Sequence, residues 1–420
     1  MNKGLFKSII MPTLVCASIN CYAYDYTFTP SITSSQRFSS NIYLTPNPQQ
    51  GFWISKLSPA VSASARDDDM QLSSNFTWNQ LFYDNKSALN ISEQLFNVDY
   101  SHKYNRLQWG FDGSYNNQSS LSSAPSNSGT ILGYDLIQVM AKQLNVAPSV
   151  SYQLSELNSV SLNYSYANTA YEKNSNSYLT DYDYQQLSST FNHLYTEKDK
   201  LNLTVSGSIY KNSTRGLNTN NNQAQVGWQH SFPKQWTAYV SAGANYSISD
   251  QSHKYKYTIY NNQLVYLDTM TSSLHSLNGP LPETTTKTGI GQIYQASIQK
   301  SFEQGNVSLV GSQNQTPTTQ GLQTQTQISL TPSYTINERW TSNLSTSYSI
   351  YEQTSTQSSA LNRNFYAVSP NVNWRWTPEV NIGLSYNYRQ QVYKNTSQSA
   401  QDNTVQFQIT YQPQLNNQVK

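Results

Sequence analysis

Apolar and small polar residues take turns along this chain with a period of two, over runs long enough to exclude most folds. Trp236, Ala238, Val240, Ala242, Ala244, Tyr246 and Ile248 interleave with Thr237, Tyr239, Ser241, Gly243, Asn245 and Ser247. Leu201, Leu203, Val205 and Ile209 alternate with Asn202, Thr204, Ser206 and Ser208; Val380, Ile382, Leu384, Tyr386 and Tyr388 with Asn381, Gly383, Ser385, Asn387 and Arg389; and Phe407, Ile409 and Tyr411 with Gln406, Gln408 and Thr410. Successive side chains of a strand point to opposite faces, so the pattern predicts strands with one apolar and one polar face.

The connections alternate as well. Short ones centre near Asp68, Asn105, Glu156, Lys198, Pro233, Gln304, Asn337 and Pro378; between them lie longer polar stretches at 83–93, 117–142, 172–181, 212–221, 249–290, 315–321, 351–364 and 391–403. An all-β, up-and-down antiparallel transmembrane barrel with short periplasmic turns and long extracellular loops predicts this asymmetry. A soluble sandwich with Greek-key connections does not. About seventeen strands follow from Trp53 onward. Both ends of such a barrel belong on the short-turn side, so one more rising strand is required, and Tyr26, Phe28, Pro30 and Ile32 supply it. The expectation is 18 strands, with 16 as the alternative.

Composition decides which medium the apolar face meets. Only 11% of the 420 residues are charged, the apolar fraction is 36%, and the mean hydropathy is −0.63. Asn, Gln, Ser and Thr, about two-fifths of the chain, supply the polarity. No apolar run after the first twenty or so residues is long enough to cross a bilayer as a helix. A soluble surface is about a quarter charged, so a face of neutral amides and hydroxyls fits an enclosed lumen better. Aromatics gather beside the short turns: Tyr104, Tyr195, Phe232, Phe302, Tyr334 and Trp376 before them, Trp236 and Trp340 after. These eight are the expected periplasmic girdle, since Tyr and Trp rings favour the headgroup level. His102, His193, His230 and Lys300, two residues before a terminal aromatic, read as groups reaching the same interface. The formal charge of +2 and the lack of a Lys/Arg run exclude a nucleic-acid partner.

Residues 1–23 read as a secretory leader, with Lys3 and Lys7, the apolar stretch Ile9 to Val15, and the small-x-small site Cys21-Tyr-Ala23. Residues 24–420 are then one barrel domain. Both cysteines, Cys16 and Cys21, fall in the leader, so the exported chain would have neither disulfide nor thiol chemistry.

Catalytic readings are weak. His253 and His275, with Asp250 and Asp268 in the long loop 249–290, could form a rim hydrolase, but solvated loop residues are the simpler reading. Asp67-Asp68-Asp69 lacks the spaced ligands and Gly of a calcium loop. The expectation is no enzyme, no metal and no cofactor. The lumen remains. Its expected lining includes Lys56, Arg66, Asp99, Asp112, Tyr210, Tyr239, the comb Gln323, Gln325 and Gln327, Arg375 and Arg389. Such a wall offers many neutral hydrogen bonds and little field, and so suits polar, mostly neutral solutes, saccharides in particular.

The hairpins led by Pro148-Ser-Val-Ser-Tyr-Gln-Leu-Ser-Glu156, Pro332-Ser-Tyr-Thr-Ile-Asn-Glu338 and Pro370-Asn-Val-Asn-Trp-Arg-Trp-Thr-Pro-Glu379 share a local form. Together with Asn41-Ile-Tyr-Leu-Thr45, Leu57-Ser-Pro59 and the turn Tyr152 to Glu156, they carry a resemblance. The chain resembles the β-barrel porins of Gram-negative outer membranes, including barrels associated with capsule and exopolysaccharide export. The resemblance implies an outer-membrane location, the lipid bilayer and the barrel insertion machinery as partners, and a polar solute or exported polysaccharide as cargo. One departure is the C-terminus: Tyr411 is followed by nine further residues instead of closing the chain as a terminal aromatic, so the last strand would be recognised internally.

Overall fold

The alternating runs become strands because, in hydrocarbon, each can satisfy its backbone amides and carbonyls only by pairing with neighbours on both edges. The computed structural model describes residues 25–47, 49–123, 138–172, 179–261, 263–268, 274–276, 281, 283–353, 362–395 and 397–414. The leader expected at 1–23 and both cysteines lie outside the described residues.

The strands are β1 (Asp25–Ser39), β2 (Phe52–Arg66), β3 (Met70–Tyr83), β4 (Ile91–Tyr104), β5 (Leu107–Ser119), β6 (Met140–Gln153), β7 (Asn158–Tyr171), β8 (Tyr182–Leu194), β9 (Asp199–Asn212), β10 (Leu217–Phe232) and β11 (Trp236–Ser252). Three short strands follow: β12 (Tyr255–Tyr260), β13 (Gln263–Asp268) and β14 (Leu274–His275). The wall resumes with β15 (Thr284–Phe302), β16 (Gly305–Thr318), β17 (Gly321–Thr335), β18 (Trp340–Gln353), β19 (Arg363–Arg375), β20 (Val380–Tyr393) and β21 (Ser399–Tyr411). Eighteen of them form one sheet, and β1 pairs with both β2 and β21, which closes it into a barrel. Every pairing is antiparallel between strands adjacent in the wall, so the topology is up-and-down with 18 strands rather than 16. The extra rising strand expected from Tyr26, Phe28, Pro30 and Ile32 is β1. It starts opposite Arg66, beside the first short turn, and the final strand ends opposite Val380, beside the last.

Three stretches expected as long loops are mostly wall instead; in 391–403 only 394–398 connect β20 to β21. In 212–221 only 213–216 connect β9 to β10, and in 315–321 only 319–320 connect β16 to β17. Their Asn- and Thr-rich composition is that of a loop, yet Asn218 to Asn222 pair on both sides, with 207–211 of β9 and 246–250 of β11. Ladder bonds there outweigh the weak β-propensity of Asn.

Proline marks the wall in four places. The register is continuous everywhere in β2–β3, β6–β7, β17–β18 and β19–β20 except beside Pro59, Pro148, Pro332 and Pro370, respectively. Proline has no amide hydrogen to donate, so the ladder skips it on the side where the donor would have pointed. On its other side Pro148 stays paired, with Phe111.

The register also fixes the two faces. Phe28, Val61, Phe76, Phe96, Tyr115 and Leu144 share the exposed outer face, strand after strand. The opposite face carries buried Ser35, Ser58, Asn79 and Glu93.

Candidate functional site: the lumen and its outer mouth

The residues expected to line the lumen all lie on the inner face by strand parity, but the structure brings few of them together. Lys56 and Arg389 border one cavity of about 370 Å³ near the outer mouth. Arg66 stands opposite Asp25 at the short-turn end. Asp99 and Asp112 face each other across β4 and β5. Arg375 donates through Nη2 to the Glu338 carbonyl at 2.9 Å and so ties a short turn. The glutamine comb is linked along one strand, Gln325 Nε2 to Gln327 Oε1 at 3.0 Å, and Gln323 is buried. Tyr239 reaches Asn202 Oδ1 at 3.5 Å. Tyr210 is no open wall residue: its hydroxyl, fully buried, donates to the Thr318 carbonyl at 2.7 Å.

The girdle residues Tyr104, Tyr195, Phe232, Phe302, Tyr334, Trp340 and Trp376 are exposed beside the short turns, and Trp236 lies half-buried with Lys300 Nζ 5.0 Å from its ring centre. The histidines of that level have separate partners. His102 lies against Trp109, His193 Nδ1 contacts Asn158 Oδ1 at 2.8 Å, and His230 Nδ1 contacts Asp199 Oδ1 at 2.6 Å. At the first turn, the Asp67 carboxylate accepts from the amides of Asp69 and Met70, which occupies it as a turn cap.

In the outer loop, His253 Nδ1 meets the fully buried Asp268 Oδ2 at 2.6 Å, and its Nε2 meets Thr285 Oγ1 at 3.0 Å. Asp268 also accepts from the Lys254 amide. This cluster fastens the small sheet β12–β14 to β15. His275 packs edge-on against Tyr255, which stacks on His253, so three of the four residues weighed as a hydrolase gather about Tyr255, while Asp250 stands apart and accepts from Thr286.

Three functional elements escaped the sequence reading. The first is the segment 41–45, which turns into the lumen. Leu44 takes a left-handed φ of 51° and its amide donates to the Asn41 carbonyl at 2.9 Å. Asn41 Nδ2 donates to the carbonyls of Thr45 and Gln401. Leu44 then packs on inner-face Tyr351, Phe365, Ala367 and Ala400, and Ile42 and Tyr43 pack on Phe52, Ile54, Leu81 and Tyr83. Burial raises the Tyr43 phenol above its ordinary pKa.

The second is Asp402, 0% exposed. Its Oδ1 accepts from Ser39 Oγ at 2.7 Å and the Asn41 amide at 2.9 Å; its Oδ2 accepts from Arg389 Nη2 at 2.6 Å and Nε at 3.2 Å, and from Thr404 Oγ1 at 2.9 Å. A buried carboxylate is tolerated when paired and fully hydrogen-bonded, and this one is both.

The third is Arg37, on β1 beside Lys56. The cavity is bordered by Arg37, Lys56, Arg389 and Glu93. Arg389 is neutralised by Asp402, while Glu93 accepts from Asn79 Nδ2 at 3.2 Å and the Ser119 amide at 3.1 Å. Among the described residues the side chains of Arg37 and Lys56 have neither a hydrogen bond nor an ion pair, and Glu93 is the one carboxylate of the lining set against them, which leaves the cavity one net positive charge. At this level the charges expected in the wall, Lys56 and Arg389, are joined by Arg37 and Glu93.

No known protein family and no curated protein matches the sequence. Solved structures similar in fold include OccK2 (OpdF) of Pseudomonas aeruginosa, at 7% identity over 92% of this chain and 97% of that one, TM-score 0.45. The ferric-catecholate import receptor Fiu of E. coli is similar at 8% identity over 91% of this chain and 81% of that one, TM-score 0.44. OpdL of Pseudomonas aeruginosa is similar at 9% identity over 93% and 99%, TM-score 0.42. The closed antiparallel wall, its apolar outer face and its aromatic level beside the short turns are the features of a porin-like outer-membrane β-barrel.

Proposed function

We propose that this barrel is an outer-membrane channel for small polar solutes, exported by way of its first 23 residues and folded into the bilayer by the barrel insertion machinery. The observation that carries the reading is the net positive lining of the cavity, where Arg37 and Lys56 outnumber Glu93 once Arg389 is set against Asp402, in an otherwise amide- and hydroxyl-lined interior. Neutral hydrogen-bonding groups suit saccharides, and the net positive charge of the cavity adds a preference for solutes bearing a negative charge. A polysaccharide chain would have to pass the inturned segment 41–45, so small solutes fit this mouth better than a polymer.

Purified protein in planar bilayers is expected to give discrete conductance steps with an anion-leaning reversal potential. Arg37→Ala with Lys56→Ala is expected to move that potential toward cations while the barrel keeps its heat-modifiable gel mobility. A silent bilayer, or a potential the double variant leaves in place, counts against the reading.

A second reading, an adhesive barrel, is favoured by the small outer sheet. It presents Tyr257 and Ile259 at 66% and 73% exposure, with Tyr260 and Leu264 also exposed. Deleting 255–275 would lower binding to surfaces if the sheet is an adhesin and leave it unchanged otherwise.

A further inference from the structure

The wall is split between β15 and β16. Their ladder runs only from Phe302 opposite Gly305 to Tyr294 opposite Gln313. Above that level β15 continues for ten more residues, 284–293, paired among the described residues with β11 alone. β16 continues over 314–318, paired with β17 alone. The two strands therefore part. The β16–β17 tip leans inward to β9, four strands along the wall from β16, where Tyr210 donates to the Thr318 carbonyl and both Asn212 and Thr180 donate to the Thr319 carbonyl. Leu322, on the tip, is buried with inner-face Tyr210 and Leu217.

The parting has finished edges. Where the ladder stops, Gln313 Nε2 donates to the Gln292 carbonyl at 2.7 Å, so the first carbonyl above the split is satisfied by a side chain. Pro317 lies on the free part of β16 and stays in register with Leu322 of β17, so the donor it lacks would have pointed toward β15. A proline on an exposed edge discourages strand addition.

The height of the split matters. A transmembrane strand crosses hydrocarbon in roughly 9–11 residues. Counted from Trp236 on β11, that reaches the neighbourhood of Tyr246, whose partner on β15 is Ile290. The split begins two outward positions lower, at Tyr294, and so opens within the outer leaflet. Just there Ile290 stands 83% exposed, flanked by Gly289 and Gly291, which have no side chain to fill the slot.

We propose that this split is a lateral portal through which an amphiphile with a polar head and a hydrocarbon tail passes between the lumen and the outer leaflet. Inside the split the wall offers Ser312 and Gln295 to a head group, and outside it Ile290 and Tyr246 meet a tail. Open backbone edges are costly in hydrocarbon unless they line a wet cavity. A slot continuous with the lumen meets that condition.

The test uses the full barrel in phosphatidylcholine vesicles with trace lysophosphatidylcholine labelled in its acyl chain. A benzophenone is attached to Ser312→Cys at the split, to Ser345→Cys on β18, two strands away, as the inner-face control in the unsplit wall, and to outer-face Leu309→Cys as the lipid-exposed control. Irradiation is expected to label Ser312→Cys several-fold above Ser345→Cys and near the level of Leu309→Cys. Gln295→Cys, the register partner of Ser312, serves as the second variant should the first fail to show heat-modifiable mobility. Labelling at the split no higher than at Ser345→Cys overturns the proposal. So does efficient disulfide dimerisation of Thr288→Cys in membranes, which would mean a second copy occupies the free edge. Neither outcome bears on conductance, so the portal and the channel fail independently.

Discussion

Where β1 leads into β2, the chain is fastened into the lumen by a buried carboxylate; where β16 leads into β17, the groups that bond its carbonyls are neutral, one of them, Thr180, being held in turn by Arg215. On the first side Asp402 gathers a serine, a threonine, an arginine and a backbone amide, with apolar packing above and below. On the second side two carbonyls accept from Tyr210, Asn212 and Thr180, and one small apolar cluster backs them. The two sides share no residue, and both narrow the same mouth. A buried ion pair is rigid because losing either partner strands the other in a poor solvent. Neutral hydrogen bonds exchange with water at little net cost. The first device is thus suited to a fixed constriction and the second to a piece that can shift.

The comparison breaks most sharply at Asp402. Asp402→Ala should cost about 3–5 kcal/mol, because Arg389 is left buried without its counter-charge. Heat-modifiable mobility should be lost at a clearly lower temperature, and single-channel conductance should rise as segment 41–45 leaves the mouth. If conductance stays the same, the segment is no constriction. Leu217→Ala should cost less, about 2–5 kcal/mol at most, by opening a cavity under the β16–β17 tip. Its effect should add to that of Asp402→Ala, since sites without common partners are independent; strong non-additivity would make the mouth one unit. Tyr210→Phe removes a single hydroxyl and should cost about 1 kcal/mol, read as the same gel shift at a slightly lower temperature.

The smallest effect concerns pH. Burial holds the Tyr43 phenol above its ordinary pKa, so its contribution is complete below the unfolded value of 10.0 and is lost as pH rises through the folded one. Tyr43→Phe should therefore be more resistant than wild type to alkaline loss of the folded band, and equal to it at neutral pH.

Most of the wall was legible because its information is local. Alternation, short turns and aromatics at fixed offsets each follow from one strand and its medium, and they gave the strand number and both faces. The mouth was not legible, because its contacts join residues far apart in sequence: Ser39 meets Asp402, and Tyr210 meets Thr318. Asp402 sat in a stretch, 391–403, whose composition is that of a loop, and its place in the wall comes from the β20–β21 ladder, where it stands opposite Arg389. A local signal for the inturned segment did exist. Phe52, Ile54, Leu81 and Tyr83 put apolar groups on the face that elsewhere carries Ser and Asn, which is sensible only if something apolar packs inside. The polar runs at 212–221 and 315–321 misled for the opposite reason: above the hydrocarbon, a strand has no need of an apolar face.

The four interrupting prolines carry a consequence for assembly. A shift of two residues between neighbouring strands keeps every side chain on its proper side, and in a wall of interchangeable Ser, Thr and Asn such misalignment would go unpunished by the lumen. Pro59, Pro148, Pro332 and Pro370 each lack a donor at one fixed height, so a slipped neighbour would set an acceptor against that blank and lose a bond it should have kept. They act as notches on a ruler, letting a monotonous ribbon find its one correct alignment as the cylinder closes.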